Sequence, residues 1–385
     1  MQTDPVAPQC FDIAIVGAGI AGASLAFRLA SQASVILLER ESHPGYHATG
    51  RSAAMFMESY GPTGVRALTR ASRAFYEAPP PGFADHPILT PRGALYVAAP
   101  GQEALLASTR AALAPNCPRL ATLDAGATLA AAPCLKPDRV AGALLDPDSM
   151  DIDVHGLHQG FLRAFRAAGG TLRCDAELVA ATRAAGAWQL QLADGATIHA
   201  GVLVDAAGAW ADQVAALCGA RPVGLTPRRR SAFTFDAPAG VACAHWPAVV
   251  GIDETWYFKP DAGQLLGSPA NADDTVPHDV APEELDIALG IDRIQAATTL
   301  TIRRPRHAWA GLRSFVADGE PVIGFDGELD GFFWLAAQGG YGIQSAAGAA
   351  ALAAALLLAG PLPPECARQA VDAACFAPAR LRPAG

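Results

Sequence analysis

A short apolar run over Asp12–Val16 leads into Gly17-Ala18-Gly19-Ile20-Ala21-Gly22, then an Ala/Leu-rich stretch to about Ser31, then a second apolar run, Val35–Leu38, ending at Glu39. That order predicts a strand, a glycine turn, a helix, a strand and an acid. Farther on, Leu157, Phe161, Leu162 and Phe165 recur at helical spacing between Val154 and about Ala168, with Asp153 placed to cap that helix. Trp188–Leu192 alternates as a strand, Asp194-Gly195 reads as a hairpin turn, and Thr197–Ala200 returns. Val202–Ala206 predicts a separate buried strand that stops at the small-residue turn Ala207-Gly208-Ala209-Trp210. A Pro-rich segment spans Pro79–Pro91. From Arg221 to Arg313, alternation at Ala232–Phe235, Val249–Ile252 and Trp256–Phe258 predicts a second, mostly antiparallel sheet. The chain closes with a strand over Gly331–Ala336, a turn over Gln338–Gly342 and an Ala-rich helix.

Composition narrows what these elements can build. The chain has 385 residues, 51% hydrophobic and 17% charged, enough apolar material for two folded domains and too little charge for a disordered chain. With 28 basic against 37 acidic residues the net charge is −9, which argues against nucleic acid or an anionic membrane surface as partner. Any anion must therefore be held by local features. The eight cysteines form no C-x-x-C pair, and the N-terminus lacks a signal-peptide layout, so reduced thiols in a cytoplasm are expected. The apolar stretch Ser345–Gly360 is about 16 residues, short of the roughly 20 that span a bilayer, and predicts a buried helix rather than an integral membrane segment.

The glycine turn carries the first chemical signal. Glu39 lies 22 residues after Gly17, near the spacing of about 20 found in dinucleotide-binding folds. Gly17 permits the tight turn, Gly19 lets backbone approach a pyrophosphate, and Gly22 lets helix and strand pack closely. The positive helix end then holds phosphates, and Glu39 can accept from a ribose. A helix beginning near Ile343 would aim a second positive end, at Gly340 to Ile343, toward the same site. The run Asp151-Ile152-Asp153-Val154-His155-Gly156-Leu157-His158 has metal-ligand residue types, but the pattern is better explained by helix capping at Asp153, and no metal site is expected.

Taken together, "VGAGIAGAS" with "LLERE", "PGYHATGRSAA", "DIDVHGLHQGFLR", "VLVDAAGAWAD", "RRRSAF", "YFKPDAGQLLGSPANAD", "TIRRPRHAWAGLRSFVADG" and "AAQGGYGIQ" resemble the flavin-dependent glycine/D-amino acid oxidase superfamily. Within it, the chain looks most like the bacterial FAD-dependent D-arginine dehydrogenases, nearly end to end. The resemblance implies an α/β (α+β) protein with a Rossmann-like FAD-binding domain and an interleaved, mostly antiparallel substrate domain. The expected division is 1–78, 145–220 and 313–385 for FAD, and 79–144 and 221–312 for substrate. Non-covalent FAD is implied, with Gly17, Gly19, Ile20, Ala21 and Gly22 on the pyrophosphate, Glu39 on the adenosine ribose and Arg40 as a further cofactor contact. Further FAD contacts are implied for Thr49, Arg51, Ser52, Ala53 and Ala54, then Val179, Ala207, Gly208 and Trp210, then Gly311. The last group is Gly340, Tyr341, Gly342, Ile343 and Gln344.

The same resemblance implies that Arg230 and Arg313 clamp a substrate carboxylate, that Tyr60 and Tyr257 flank the substrate, and that Gly340 adjoins it. The implied reaction is oxidative deamination of a D-amino acid by hydride transfer from Cα to FAD, with a quinone or similar acceptor downstream. Departures from the pattern are informative. D-arginine dehydrogenases carry a guanidinium-binding Glu where this chain has Ala94, and a His and a Thr where it has Met55 and Met57. Losing a buried charge partner costs about 2–5 kcal/mol, so apolar D-amino acids are expected to be preferred over D-arginine unless another acid substitutes. Glu58 is one candidate, but in an extended segment it faces away from Met55 and Met57. Two alternatives stay open at this point: an oxygen-using oxidase of amino acids or secondary amines, and a flavin-bearing protein without turnover.

Overall fold

The computed structural model describes residues 9–382. Two large sheets organise them. In the first, the strands Phe332–Ala336, Thr197–Asp205, Gln9–Val16, Val35–Leu38 and Thr171–Arg173 lie side by side and parallel. Gln9–Val16 is central, and its C-terminal half and all of Val35–Leu38 are fully buried, as expected for a parallel sheet covered on both faces. The antiparallel strands Leu178–Ala184 and Ala187–Leu192 extend this sheet along the first half of Thr197–Asp205.

Thr197–Asp205 is one continuous strand, not the hairpin return and separate strand expected around Gly201. A Cβ at Gly201 would sit 3.1 Å from the Asp12 carbonyl oxygen, so the glycine admits a close neighbouring strand rather than ending its own.

The second sheet is mostly antiparallel and includes Thr226–Phe235, His307–Phe315, Tyr257–Asp261, Gln264–Ser268, Ala248–Gly251, Ala94–Ala98 and Gly142–Asp146. Among the described residues its one parallel pair joins Ala248–Gly251 to Ala94–Ala98. The strand His307–Phe315 runs through residue 313 and Gly142–Asp146 runs through residue 145, so two of the four expected domain limits fall inside strands of this sheet. The chain passes repeatedly between the two sheets. A small sheet formed by Met55–Phe56, Leu89–Pro91 and Met150–Ile152 lies on that path.

Helices pack the parallel sheet by apolar faces. Asp153 caps Val154–Ala167 by accepting from the Gly156 N–H at 2.8 Å, and Leu157, Phe161, Leu162 and Phe165 are buried, as the sequence pattern predicts. The helix Gly342–Leu357 is buried from Ile343 through Ala354. Its alanines allow close approach, and at Gly348 even a Cβ would come within 2.4 Å of the Leu68 carbonyl oxygen. Among the described residues, no helix is long and apolar enough to cross a membrane, and no cluster of His, Cys, Asp or Glu could hold a metal ion.

Candidate active site

A cavity of about 390 Å3 runs from the glycine turn to the face of the second sheet. Its first end is built from backbone. Gly17 has φ +101°, and a Cβ there would be 2.5 Å from the Ala206 carbonyl oxygen; a Cβ at Gly22 would be 1.9 Å from the Gly17 carbonyl oxygen. Gly19 caps the helix Ile20–Leu29 in extended conformation. The turn is braced from outside: Glu39 accepts from the Ala18 N–H at 3.0 Å and the Glu41 N–H at 3.0 Å, and Thr49 Oγ1 accepts from the Ile20 N–H at 3.0 Å. The Gly19 N–H takes no protein acceptor among the described residues. With the unpaired first-turn amides of the helix, including Ala21, it faces the cavity as an anion cradle.

Around this cradle the cavity is lined by Gly17, Gly19, Ile20, Ala21, Glu39, Arg40, Thr49, Arg51, Ser52, Ala53 and Ala54, and by Ala207, Gly208 and Trp210. Arg40 lies over the Trp210 ring at 4.6 Å. The Arg51 guanidinium turns to the protein, bonding Asp279 and the Val280 and Ala310 carbonyls, so the backbone and stem are what this residue offers the cavity. Gly22 and Val179, two of the residues expected at this end, lie off the lining. Gly22 is behind the turn, in helix–strand packing. Val179 is 45% exposed, because the strand shifts register between Leu178 and Ala180; Glu177 and Leu178 line the cavity instead.

The other end is built from side chains. Arg228 pairs with Arg313 and Arg230 with Gly311 on adjacent strands, which sets Arg230 and Arg313 on one face of the sheet as diagonal neighbours. Both line the cavity with Gly311 and Tyr257. Arg313 donates to the Tyr60 hydroxyl at 2.9 Å and lies against the Tyr60, Phe315 and Tyr341 rings at 6.0, 5.6 and 5.6 Å. Arg230 donates Nε to the Asn271 carbonyl oxygen at 2.5 Å. Among the described residues, neither guanidinium has a carboxylate partner. Burial, then the adjacent Arg313 charge, push the Arg230 pKa down. Burial opposes the Arg313 charge too, but Tyr60 and Tyr341 outweigh it and raise that pKa. Two neighbouring guanidiniums without a counterion make a site that an anion relieves.

Gly340 has a specific reason to be glycine. A Cβ there would lie 1.6 Å from Arg313 Nη2 and 2.0 Å from its Cζ, so the guanidinium rests on bare backbone. Gly340, Gly342, Ile343 and Gln344 line the cavity, and Gln344 donates to the Tyr60 carbonyl oxygen at 3.2 Å and Thr69 Oγ1 at 3.0 Å. Tyr341 lies off the lining. It screens Arg313, and burial, with Tyr60, pushes its own hydroxyl up to about 12.

Met55, Met57 and Tyr60 also line this end, but Ala94 does not: it is fully buried in the cluster of Met57, Tyr96, Leu144 and Ile252 behind the wall. The wall residue supplied by that strand is Tyr96, two positions on and on the same face. Glu58 is tied to Arg73 at 2.6 Å and is absent from the lining. Among the cavity residues not anticipated from sequence are Tyr96, Lys259 and Glu254. Tyr96 looks like an ordinary strand aromatic. Lys259, buried with Nζ 2.8 Å from Asp151, was detectable as a cation inside an apolar strand. Glu254, exposed and lining the cavity with φ +54°, sits in a turn closed by its N–H to the Gly251 carbonyl at 2.8 Å, and no alternation marks such a position.

The parallel sheet, glycine cradle and adjoining cavity define a dinucleotide-binding protein. The sequence profile of the FAD dependent oxidoreductase family (DAO) matches residues 12–356, and the chain belongs to that family. Its fold is shared with glycine oxidase from Geobacillus kaustophilus (TM-score 0.81, 23% identity, 98% of this chain and 100% of that one). It is also shared with iminodiacetate oxidase from Chelativorans sp. BNC1 (0.80, 23%, 95% and 98%). A third is L-alpha-glycerophosphate oxidase from Mycoplasma pneumoniae with FAD bound (0.81, 18%, 91% and 95%). At these identities the likeness is one of fold, and the three named substrates differ. FAD is the cofactor, and the cradle suits it: the Gly17–Gly22 turn leaves room and a free amide for a pyrophosphate, and the Glu39 carboxylate stands at the end of the second strand.

Proposed function

We propose that this protein oxidatively deaminates free amino acids, with the substrate carboxylate held by Arg230 and Arg313. The observation that carries this reading is the pair of buried, adjacent guanidiniums that line the cavity without a carboxylate partner among the described residues. Two forks of planar donors match a carboxylate, and Tyr60 and Gly340 fix the Arg313 fork in place. A bound FAD would supply a two-electron acceptor for the hydride at the substrate Cα, and the imino acid so formed would be hydrolysed by water to a 2-oxo acid and ammonium. The chain's own contribution is position and field: Arg230 and Arg313 orient the carboxylate, Tyr60 and Tyr257 bound the substrate, and Gly342–Leu357 directs its positive end at the cavity.

Met55, Met57, Val250 and Tyr96 give the side-chain end an apolar, adaptable wall, which supports a preference for apolar or aromatic D-amino acids over D-arginine. The D configuration and the use of a quinone-like acceptor rest on resemblance to bacterial D-arginine dehydrogenases. Glu254 favours a second reading, in which this rim carboxylate receives the cationic end of a basic side chain. Anaerobic flavin bleaching across D- and L-amino acids tests both. Faster reduction by D-Leu, D-Met and D-Phe than by D-Arg is expected; the reverse order transfers the specificity to Glu254, and no reduction by any amino acid removes the proposal. Peroxide formed in air identifies an oxidase rather than a dehydrogenase.

A further inference from the structure

We infer that His158 is a positioning residue for the FAD cradle, fixing the direction of the Gly19 amide and the spacing between two cofactor-lining loops. His158 lies on the helix Val154–Ala167, is buried, and has no part in the chemistry above. Its Nε2–H donates to the Ala18 carbonyl oxygen at 2.8 Å. In a planar trans peptide the C=O and the following N–H point in opposite directions. Holding the Ala18 carbonyl toward the helix therefore turns the Gly19 N–H the other way, into the cavity, where it has no protein acceptor among the described residues.

The other side of the ring meets a second loop. A Cβ at Gly45 would lie 2.9 Å from His158 Cε1 and 3.2 Å from Nδ1, so the ring packs on bare backbone there, at a φ of +82°. Gly45 accepts from the Gly50 N–H at 2.8 Å, and the intervening Thr49 accepts from the Ile20 N–H at 3.0 Å. One imidazole thus touches both the 17–19 turn and the 45–50 loop, and each lines the FAD cavity. Glu39 holds the Ala18 N–H from the opposite direction, at 3.0 Å. Each peptide flanking Ala18 is thereby fixed by one side chain from outside the turn.

The test compares two variants of similar reach in the holoenzyme, with flavin release on serial dilution read by fluorescence. His158→Gln keeps an N–H donor, whereas His158→Met fills the space without one. Met should weaken FAD binding at least about tenfold, the scale of one buried hydrogen bond, with Gln within about threefold of wild type. Equal FAD affinity in the two variants, whether high or low, overturns the proposal. Melting in saturating FAD checks that both variants fold. A measurement on the unsubstituted protein covers the case in which neither does: 15N NMR of labelled histidine should show one ring locked in the Nε2–H form in holoenzyme and still so after FAD is removed, because protein groups hold it. A ring that exchanges tautomers freely in holoenzyme also overturns the proposal.

Discussion

The two ends of the cavity hold anions by different means. At the FAD end the donors are backbone amides of one turn and one helix, braced by Glu39, Thr49 and His158. At the substrate end they are side chains, Arg230 and Arg313, brought together by strand pairing and resting on Tyr60 and Gly340. The backbone end tolerates no added atom, because its groups are spaced by covalent geometry. The side-chain end can lose a donor and keep its shape. Damage to the first should therefore abolish cofactor binding, and damage to the second should change kinetics while the flavin stays.

The largest expected effect is at Gly17. Gly17→Val adds atoms 2.5 Å or less from the Ala206 carbonyl oxygen at a φ of +101°, and should yield protein purified without bound flavin, seen as loss of the visible absorbance. Retained stoichiometric FAD would contradict the rigid-backbone reading. Next, Arg313→Met should lower kcat/KM for amino acids by about 2 kcal/mol, or about 30-fold, with flavin content unchanged. Unaltered steady-state kinetics would remove Arg313 from the site. Gly340→Ala should act through the same guanidinium, raising KM about tenfold by displacing it; because this shares a mechanism with Arg313→Met, the double variant should be no worse than Arg313→Met alone.

The smallest effect expected is in stability at the FAD end. Asp205 is fully buried, accepts from the Ala207 N–H at 3.1 Å, and leaves Oδ2 without a partner; burial raises its pKa well above the ordinary carboxylate range. The folded state therefore holds this proton to higher pH than the unfolded chain does. Stability from the neutral form is present below about pH 4 and is lost as pH rises through the folded pKa. Asp205→Asn keeps the acceptor without the titration, so its melting temperature should gain on wild type as pH rises from 4 to 8. A difference independent of pH would show that Asp205 is ionised in the fold.

The same contrast explains what could be read from sequence. The glycine cradle is local: strand, turn, helix, strand and Glu39 follow one another within 12–39, so spacing alone reports their geometry. The substrate end gathers residues from near 55, 96, 230, 254, 313 and 340, whose proximity is a property of sheet register and is invisible to periodicity. Family resemblance points to Arg230 and Arg313, which line the cavity, and to Ala94, which lies off the lining beside Tyr96. Val179 lies off the lining for a related reason: a register shift between Leu178 and Ala180 changes which residues face the cavity, and nothing in the local residue types announces it. Gly201 misled in the opposite sense, since a glycine that admits a neighbouring strand looks the same as one that ends its own.

The Ala-rich helix Gly342–Leu357 carries a thermal consequence. Its first turn lines the cavity and its next three turns are locked between Leu68, Ser72 and the sheet, with the Gly348 N–H bonded to Ser72 Oγ at 2.8 Å. The site's wall is thus an extension of the hydrophobic core rather than a loop laid over it. In a temperature ramp, flavin fluorescence should appear together with the loss of helix circular dichroism, as one cooperative transition. The cofactor then serves as a built-in reporter of when the molecule melts.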